Sequence, residues 1–222
     1  MTLANPSRRL NSTVCGLSAW AGPPLILVTD DVRLPDPLAA AAALPSGSGV
    51  LLRHYGDPAR AARAAALAAL CRRRRLVLLV AGDWRLAARL GAAGLHLPEG
   101  IARHGVLAPA LGWLRRRHAL LTVAAHSPLA LGRAAALGAD AALVSPVFPS
   151  RSHPGAPVVG PLRLGGWRRR ARLPLIALGG VSAATARRLP RGSVCGLAAI
   201  EGLSGVSRSG QGERDVLTLG ID

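Results

Sequence analysis

The sequence predicts a single (β/α)₈ barrel, an α/β fold, and three observations carry that expectation. Eight short apolar runs follow one another along the chain, each bounded by Gly, Pro, Asp or His. Segments rich in Ala, Leu and Arg, with helical spacing, separate most of them. The 222 residues are a length that such barrels use as one domain. Apolar runs without alternation imply strands buried on both faces, as in parallel sheets joined by helical crossovers. A doubly wound sheet would alternate in the same way. The count of eight favours closure.

Taken in order, residues 1–23 are polar with scattered Pro and Gly, and are expected to form a flexible lead-in to a barrel over 24–204. The expected strands are 25–29, 49–53, 76–80, 94–97, 120–124, 141–145, 175–178 and 194–199. Residues 58–74 and 127–137 exemplify the helices between them. The tail 205–222 is rich in Gly, Ser and charge, and is expected to be flexible. Half of the residues are hydrophobic but only 3% are aromatic, so Leu, Val and Ala must fill the core.

The formal charge of +17 comes from 28 basic residues, all Arg. That usage, with abundant Ala, Gly, Leu and Pro, reads as a GC-rich coding bias rather than a binding signature. Runs at 72–75, 115–117 and 168–170 close expected helices, where cations complement the macrodipole. No aromatics interleave with them to offer stacking platforms, so no specific nucleic-acid partner is expected. Non-specific attraction to polyanions fits the charge.

Cys15, Cys71 and Cys195 form neither a CxxC pair nor an even framework, which fits a reducing cytoplasm. Cys195 lies in an apolar run and reads as a small core residue. No long apolar segment follows Arg8 and Arg9, so no signal peptide is expected. No stretch of membrane-spanning length lacks a charge or a Gly/Pro break, so no membrane partner is expected.

In such a barrel, chemistry sits where strands end and βα loops begin. Gly179 and Gly180 follow the seventh expected strand and precede a helix started by Ser182. Two glycines let backbone approach an anion, although a plain Gly-Gly turn would read the same. Ile200 and Glu201 follow the eighth run, where a second helix start would face the same point. Glu201 would set a carboxylate near that anion and oppose it. His126 should project from the end of strand five, as an acid–base group or as a structural histidine. His96 sits inside an apolar run and reads as a satisfied core or rim residue. His54 and His153 could join His126, but no HxxxH or HxH spacing supports a metal site. Glu99 is the acidic residue of the fourth loop, and Asp83 reads as a helix cap. The loop "SPVFPSRSHPG" presents Ser150 and Ser152 around Arg151, followed by His153. Those groups suit phosphate oxygens, or they belong to an ordinary rigid loop.

The segments "LILVTDD", "GVLLRHYGDP", "GAAGLHLPEG", "VAAHS", "ALGADAALVSPVFPSRSHPGAP", "LPLIALGGVS" and "GLAAIEGL" stand in the order and spacing of the thiamine phosphate synthase/TenI superfamily, which residues 25–203 resemble. The "GAD…SPVFPSxSHP" and "IALGGV" stretches carry most of that resemblance. It implies a (β/α)₈ barrel in thiamine biosynthesis whose small-molecule partner is a thiazole phosphate. It also implies one of two activities. The synthase joins hydroxymethylpyrimidine pyrophosphate to thiazole phosphate using Mg²⁺; the TenI-type tautomerase aromatises a thiazole phosphate by proton transfer without metal.

Departures from the synthase pattern decide between them. Its Gln-Leu-Arg-Glu-Lys stands here as residues 51–55, which keep Arg53 but read His54 and Tyr55. Its Asn-Asp pair is Ala81-Gly82, its second magnesium Asp is Ile101, and the Ser before its histidine is Ala124. The resemblance therefore favours a tautomerase with His126 as acid–base residue and no cofactor, Mg²⁺ being needed only by the synthase alternative. Ser150, Arg151, Ser152, His153, Gly179, Gly180, Ile200 and Glu201 match the phosphate loops, with Glu201 in place of a Ser. A non-catalytic ligand-binding regulator is the remaining alternative. The oligomeric state is open, a homo-oligomer included.

Overall fold

The computed structural model describes residues 20–150, 155 and 157–203. The expected tail, Cys15, Arg151, Ser152, His153 and most of the lead-in lie outside the described residues. Eight parallel strands close into a barrel in sequence order. They are β1 (Leu25–Val28), β2 (Gly49–Leu52), β3 (Val77–Ala81), β4 (Gly94–Leu97), β5 (Leu120–Ala125), β6 (Ala141–Val144), β7 (Leu175–Leu178) and β8 (Gly196–Ala199). Leu25 pairs with Leu197 and Leu27 with Ala199, so the first strand joins the last and no edge is left. The helices described around it are α1 (Pro37–Ala43), α2 (Arg60–Arg74), α3 (Trp84–Leu90), α4 (Glu99–Ala102), α5 (Ala108–Arg117), α6 (Pro128–Ala136), α7 (Gly160–Arg170) and α8 (Ala183–Ala186). No helix among the described residues is long and apolar enough to cross a membrane.

Local signals start and stop these helices. Asp36, Asp83, Ser127 and Ser182 cap α1, α3, α6 and α8, each accepting a backbone N–H of the first turn. Ser182 and Thr185 form a reciprocal capping box. The Arg runs end α2, α5 and α7 as the macrodipole favours. One continuous core joins strands and helices, with Ile26, Leu51, Leu79, Leu143 and Ile176 fully buried.

Several boundaries differ from the sequence reading. Thr29, Arg53 and Ser145 lie just past their strands, because their polar side chains or amides turn into loop hydrogen bonds. β3 runs one residue later than expected and β5 reaches Ala125, while β8 starts only at Gly196. Instead of a second helix start, residues Glu201–Leu203 make one 3₁₀ turn. Trp20 is buried with its Nε1–H on the Pro23 carbonyl at 3.1 Å, so the packed body begins ahead of β1. Cys195 is only partly buried; its thiol donates to the Leu175 carbonyl at 3.2 Å, and burial pushes its pKa up to about 12.

Candidate active site

A closed parallel barrel gathers all eight strand ends on one face. His126 stands there, one residue past β5, with its side chain exposed. Its Nδ1 lies 2.7 Å from the carbonyl oxygen of Ser145, one residue past β6. A carbonyl has no hydrogen to give, so Nδ1 carries the proton and the neutral ring keeps its lone pair on Nε2. The Ser145 hydroxyl lies 3.3 Å from the same Nδ1. The His126 backbone N–H donates to Glu99 Oε2 at 3.1 Å, and Glu99 Oε1 pairs with Arg103 at 3.2 Å. His126 is thus tied to the segments after β4 and β6, through its backbone to Glu99 and through its ring to Ser145.

The loop after β6 continues from Ser145 to Ser150 along the Gly179-Gly180 turn. Val147 N–H donates to the Leu178 carbonyl at 2.9 Å, and Phe148 N–H to the Gly179 carbonyl at 3.0 Å. Both glycines have positive φ. A Cβ on Gly179 would stand 2.8 Å from Pro146 Cα, and one on Gly180 only 2.4 Å from the Pro149 carbonyl oxygen. Close approach of backbone is therefore realised, with the Pro-rich loop itself as the neighbour. Ser150 lies at the described end of that loop and is half-buried. Ile200 is buried beside the mouth, and Glu201 is exposed in the 3₁₀ turn.

Two other histidines point elsewhere. His54 is buried with Nδ1 2.8 Å from the Thr29 hydroxyl, which also receives the Arg53 N–H at 3.0 Å. It does not join His126 as the sequence allowed, because Thr29 holds it against the end of β1. Burial, reinforced by Arg63, pushes its pKa down. His96 is the satisfied core histidine expected: Nδ1 is 3.0 Å from the Thr122 hydroxyl. Burial, with smaller contributions from Arg53 and His126, lowers its pKa to about 3, so it stays neutral. Arg53 and His126 stand one residue past β2 and β5, at the strand ends near which His96 lies in β4. Nothing in the apolar runs signalled Thr29 and Thr122 as histidine partners except that each is a lone hydroxyl in its run.

On the β2–β4 side the surroundings are apolar. A Cβ on Gly82 would meet Tyr55 Cε1 at 3.4 Å and Ile101 Cδ1 at 3.5 Å. Asp83 turns away to cap α3 and lies 3.6 Å from Arg60, whose Nη2 donates to the Ala81 carbonyl. Glu99 is engaged as above. Among the described residues, no three His, Cys, Asp or Glu side chains come together in a way that could hold a metal ion. Mg²⁺ takes oxygen ligands in near-octahedral geometry, and the Tyr55, Gly82 and Ile101 side chains offer it no carboxylate. This donor set does not fit the ion that the synthase resemblance implies.

A groove of about 490 Å³ lies on the outer wall between α6 and α7, where Gly132, Ala135 and Ala136 leave room beside Trp167. It is away from the strand ends.

Comparisons with known proteins bear on the family and the fold. Residues 25–203 match the family model described as thiamine monophosphate synthase. A thiamine-phosphate synthase of Acidithiobacillus ferrooxidans is 33% identical over 189 residues, covering 81% of this chain and 85% of the relative. One of Thioalkalivibrio sulfidiphilus is 36% identical over 167 residues, covering 72% and 77%. Among solved structures, thiamine phosphate pyrophosphorylase from Pyrococcus furiosus shares the fold, with a TM-score of 0.64 at 22% identity over 82% of this chain and 87% of that one.

Proposed function

Since the chain belongs to the thiamine monophosphate synthase family, we propose that it is a thiamine-pathway enzyme that binds a thiazole phosphate at the barrel mouth and moves a proton on the ring without a metal. The observation that supports this reading is the His126–Ser145 hydrogen bond of 2.7 Å. It holds Nδ1 as donor, leaving Nε2 as the atom that takes a proton from one ring position and returns it to another. One bond to hydrogen breaks and another forms, the ring's double bonds shift to match, and no electron leaves the ligand. Glu99, by holding the His126 backbone, keeps the imidazole at the strand end.

In this reading the ligand's phosphate lies over the Gly179-Gly180 turn and the Ser150–Arg151–Ser152–His153 loop, with Ile200 and Glu201 beside it. Arg53 supplies positive charge from the opposite side of the mouth. His96, neutral and buried, forms the floor.

The names of the relatives favour a second reading, the synthase itself. One experiment separates the readings. The protein is incubated with the non-aromatic thiazole phosphate tautomer in EDTA, and in parallel with both synthase substrates and Mg²⁺. Aromatisation in EDTA, lost in His126→Ala, is expected. Thiamine phosphate formed at ordinary enzyme rates, with no tautomerisation, would replace this reading with the synthase. Binding without turnover in either mixture would make the protein a non-catalytic binder.

A further inference from the structure

Tyr55 and Ile101 are large apolar side chains left 50% and 42% exposed, at the rim where ligands of such barrels bind. Each reaches to ordinary contact distance from the point that a Gly82 methyl would occupy. Gly82 itself is exposed and carries no side chain, so the hollow over its backbone is bordered by both side chains. The Tyr55 ring is backed by Arg60, whose guanidinium carbon lies 5.6 Å from the ring centroid. Arg60 is fixed in turn on the Ala81 carbonyl at 2.7 Å. The hollow therefore has a supported aromatic wall, an aliphatic wall, and no carboxylate turned into it: Asp83 caps α3 and Glu99 holds His126.

We propose that this hollow receives an uncharged, apolar part of the ligand, in the place where a cation-bridged pyrophosphate would need carboxylates. The proposal rests on the reading of the mouth as a phosphate-ligand site, and it adds the chemical class of the ligand's far end. A ligand anchored by an anion at the β6–β8 loops crosses the mouth past His126, and its other end meets Tyr55 and Ile101. A charged end there would lose its hydration to hydrocarbon without gaining a counter-ion. An aryl or alkyl end would bury apolar surface on both walls.

Calorimetric binding of phenethyl phosphate, ethyl phosphate and hydroxymethylpyrimidine pyrophosphate, the last with and without Mg²⁺, tests this. The aryl ester is expected to bind about tenfold tighter than the ethyl ester, as burial of some tens of Å² of apolar surface implies. Ile101→Asn and Tyr55→Ser should each reduce that preference, and Ile101→Val should largely keep it. Ile101 is on the surface, and a melting curve of each variant confirms folding. Equal affinity for the two esters, a preference untouched in both polar variants, or tight Mg²⁺-dependent pyrophosphate binding overturns the proposal. Failure to bind either ester also overturns it. Absence of tautomerisation with the aryl preference intact removes the catalytic reading and leaves the apolar subsite standing.

Discussion

At the scale of single residues, His54, His96 and His126 differ by what their Nδ1 atoms meet. His126 faces a carbonyl, so its tautomer is dictated; His54 and His96 face threonine hydroxyls, which accept or donate. ¹⁵N NMR of the neutral protein should show His126 as the Nδ1–H form; an Nε2–H signal would remove it as a base directed through Nε2. With substrate, His126→Ala should lower turnover about 10²- to 10⁴-fold while leaving affinity nearly intact, measured as kcat against KM. His96 makes a separate prediction about stability. The unfolded chain protonates this imidazole below about 6.5, whereas burial holds the native one down to about 3. Between those values the unfolded state binds the extra proton, so stability from this residue is intact above 6.5 and falls as pH falls. One proton sets a slope of at most about 1.4 kcal/mol per pH unit. Urea denaturation from pH 7 to 4 should therefore show a shallower decline in His96→Gln than in the wild type.

At the scale of elements, the β6–α7 loop and the β7–α8 turn behave as one unit. Two backbone hydrogen bonds join them, and the glycines allow their contact. Gly180→Ala would place a methyl against the Pro149 carbonyl at a φ of +64°. A loss of about 1–3 kcal/mol in urea denaturation is expected, with weakened phosphate-ester binding, because the loop must move to admit the methyl. Ser150→Ala combined with Ser152→Ala should instead weaken phosphate-ester binding while leaving the melting temperature nearly unchanged. Ser182→Ala removes the cap of a four-residue helix next to that turn, at a cost of about 1 kcal/mol. These variants separate support of the turn from contact with the ligand.

Across the whole molecule, the barrel's direction gathers nearly all described acidic side chains at one end, whereas Arg stands at both. Helices run back from the strand ends, so each helix C-terminus leads into the start of the next strand. Arg72, Arg73, Arg75, Arg89, Arg115, Arg116 and Arg117 are exposed and directly precede β3, β4 and β5. Among the described residues, Asp30, Asp31, Asp36, Asp57, Asp83, Glu99 and Glu201 instead follow strand ends, and Asp140 alone precedes a strand. Asp140 is bonded to the Leu121 N–H at 2.7 Å. The face away from the site is thus strongly positive. Retention on a polyanionic resin, released by salt, is expected from that arc. Reversing Arg115, Arg116 and Arg117 to Glu should lower the eluting salt while leaving phosphate-ester affinity unchanged, since the two faces lie more than about one Debye length apart at physiological salt. Unchanged elution would mean that the charge is not used as a face.

The barrel was legible because eight apolar runs and their helices are local patterns, and the same holds for the caps at Asp83 and Ser182 and for the Arg-terminated helices. The strands end a residue before Thr29 and Ser145 rather than at them, since a hydroxyl beside an apolar run does not say which loop it bonds. His126 was legible as a residue at a strand end. Its proton's position was not, because Ser145 is 19 residues away and Glu99 is 27 away, and only closure of the barrel brings them together. The sequence by itself determined that Ala81, Gly82 and Ile101 stand at three positions of the family pattern. The tertiary structure decided that Gly82 and Ile101 meet Tyr55 in one apolar hollow, because contacts between side chains on different loops follow from the register and closure of the strands that carry them.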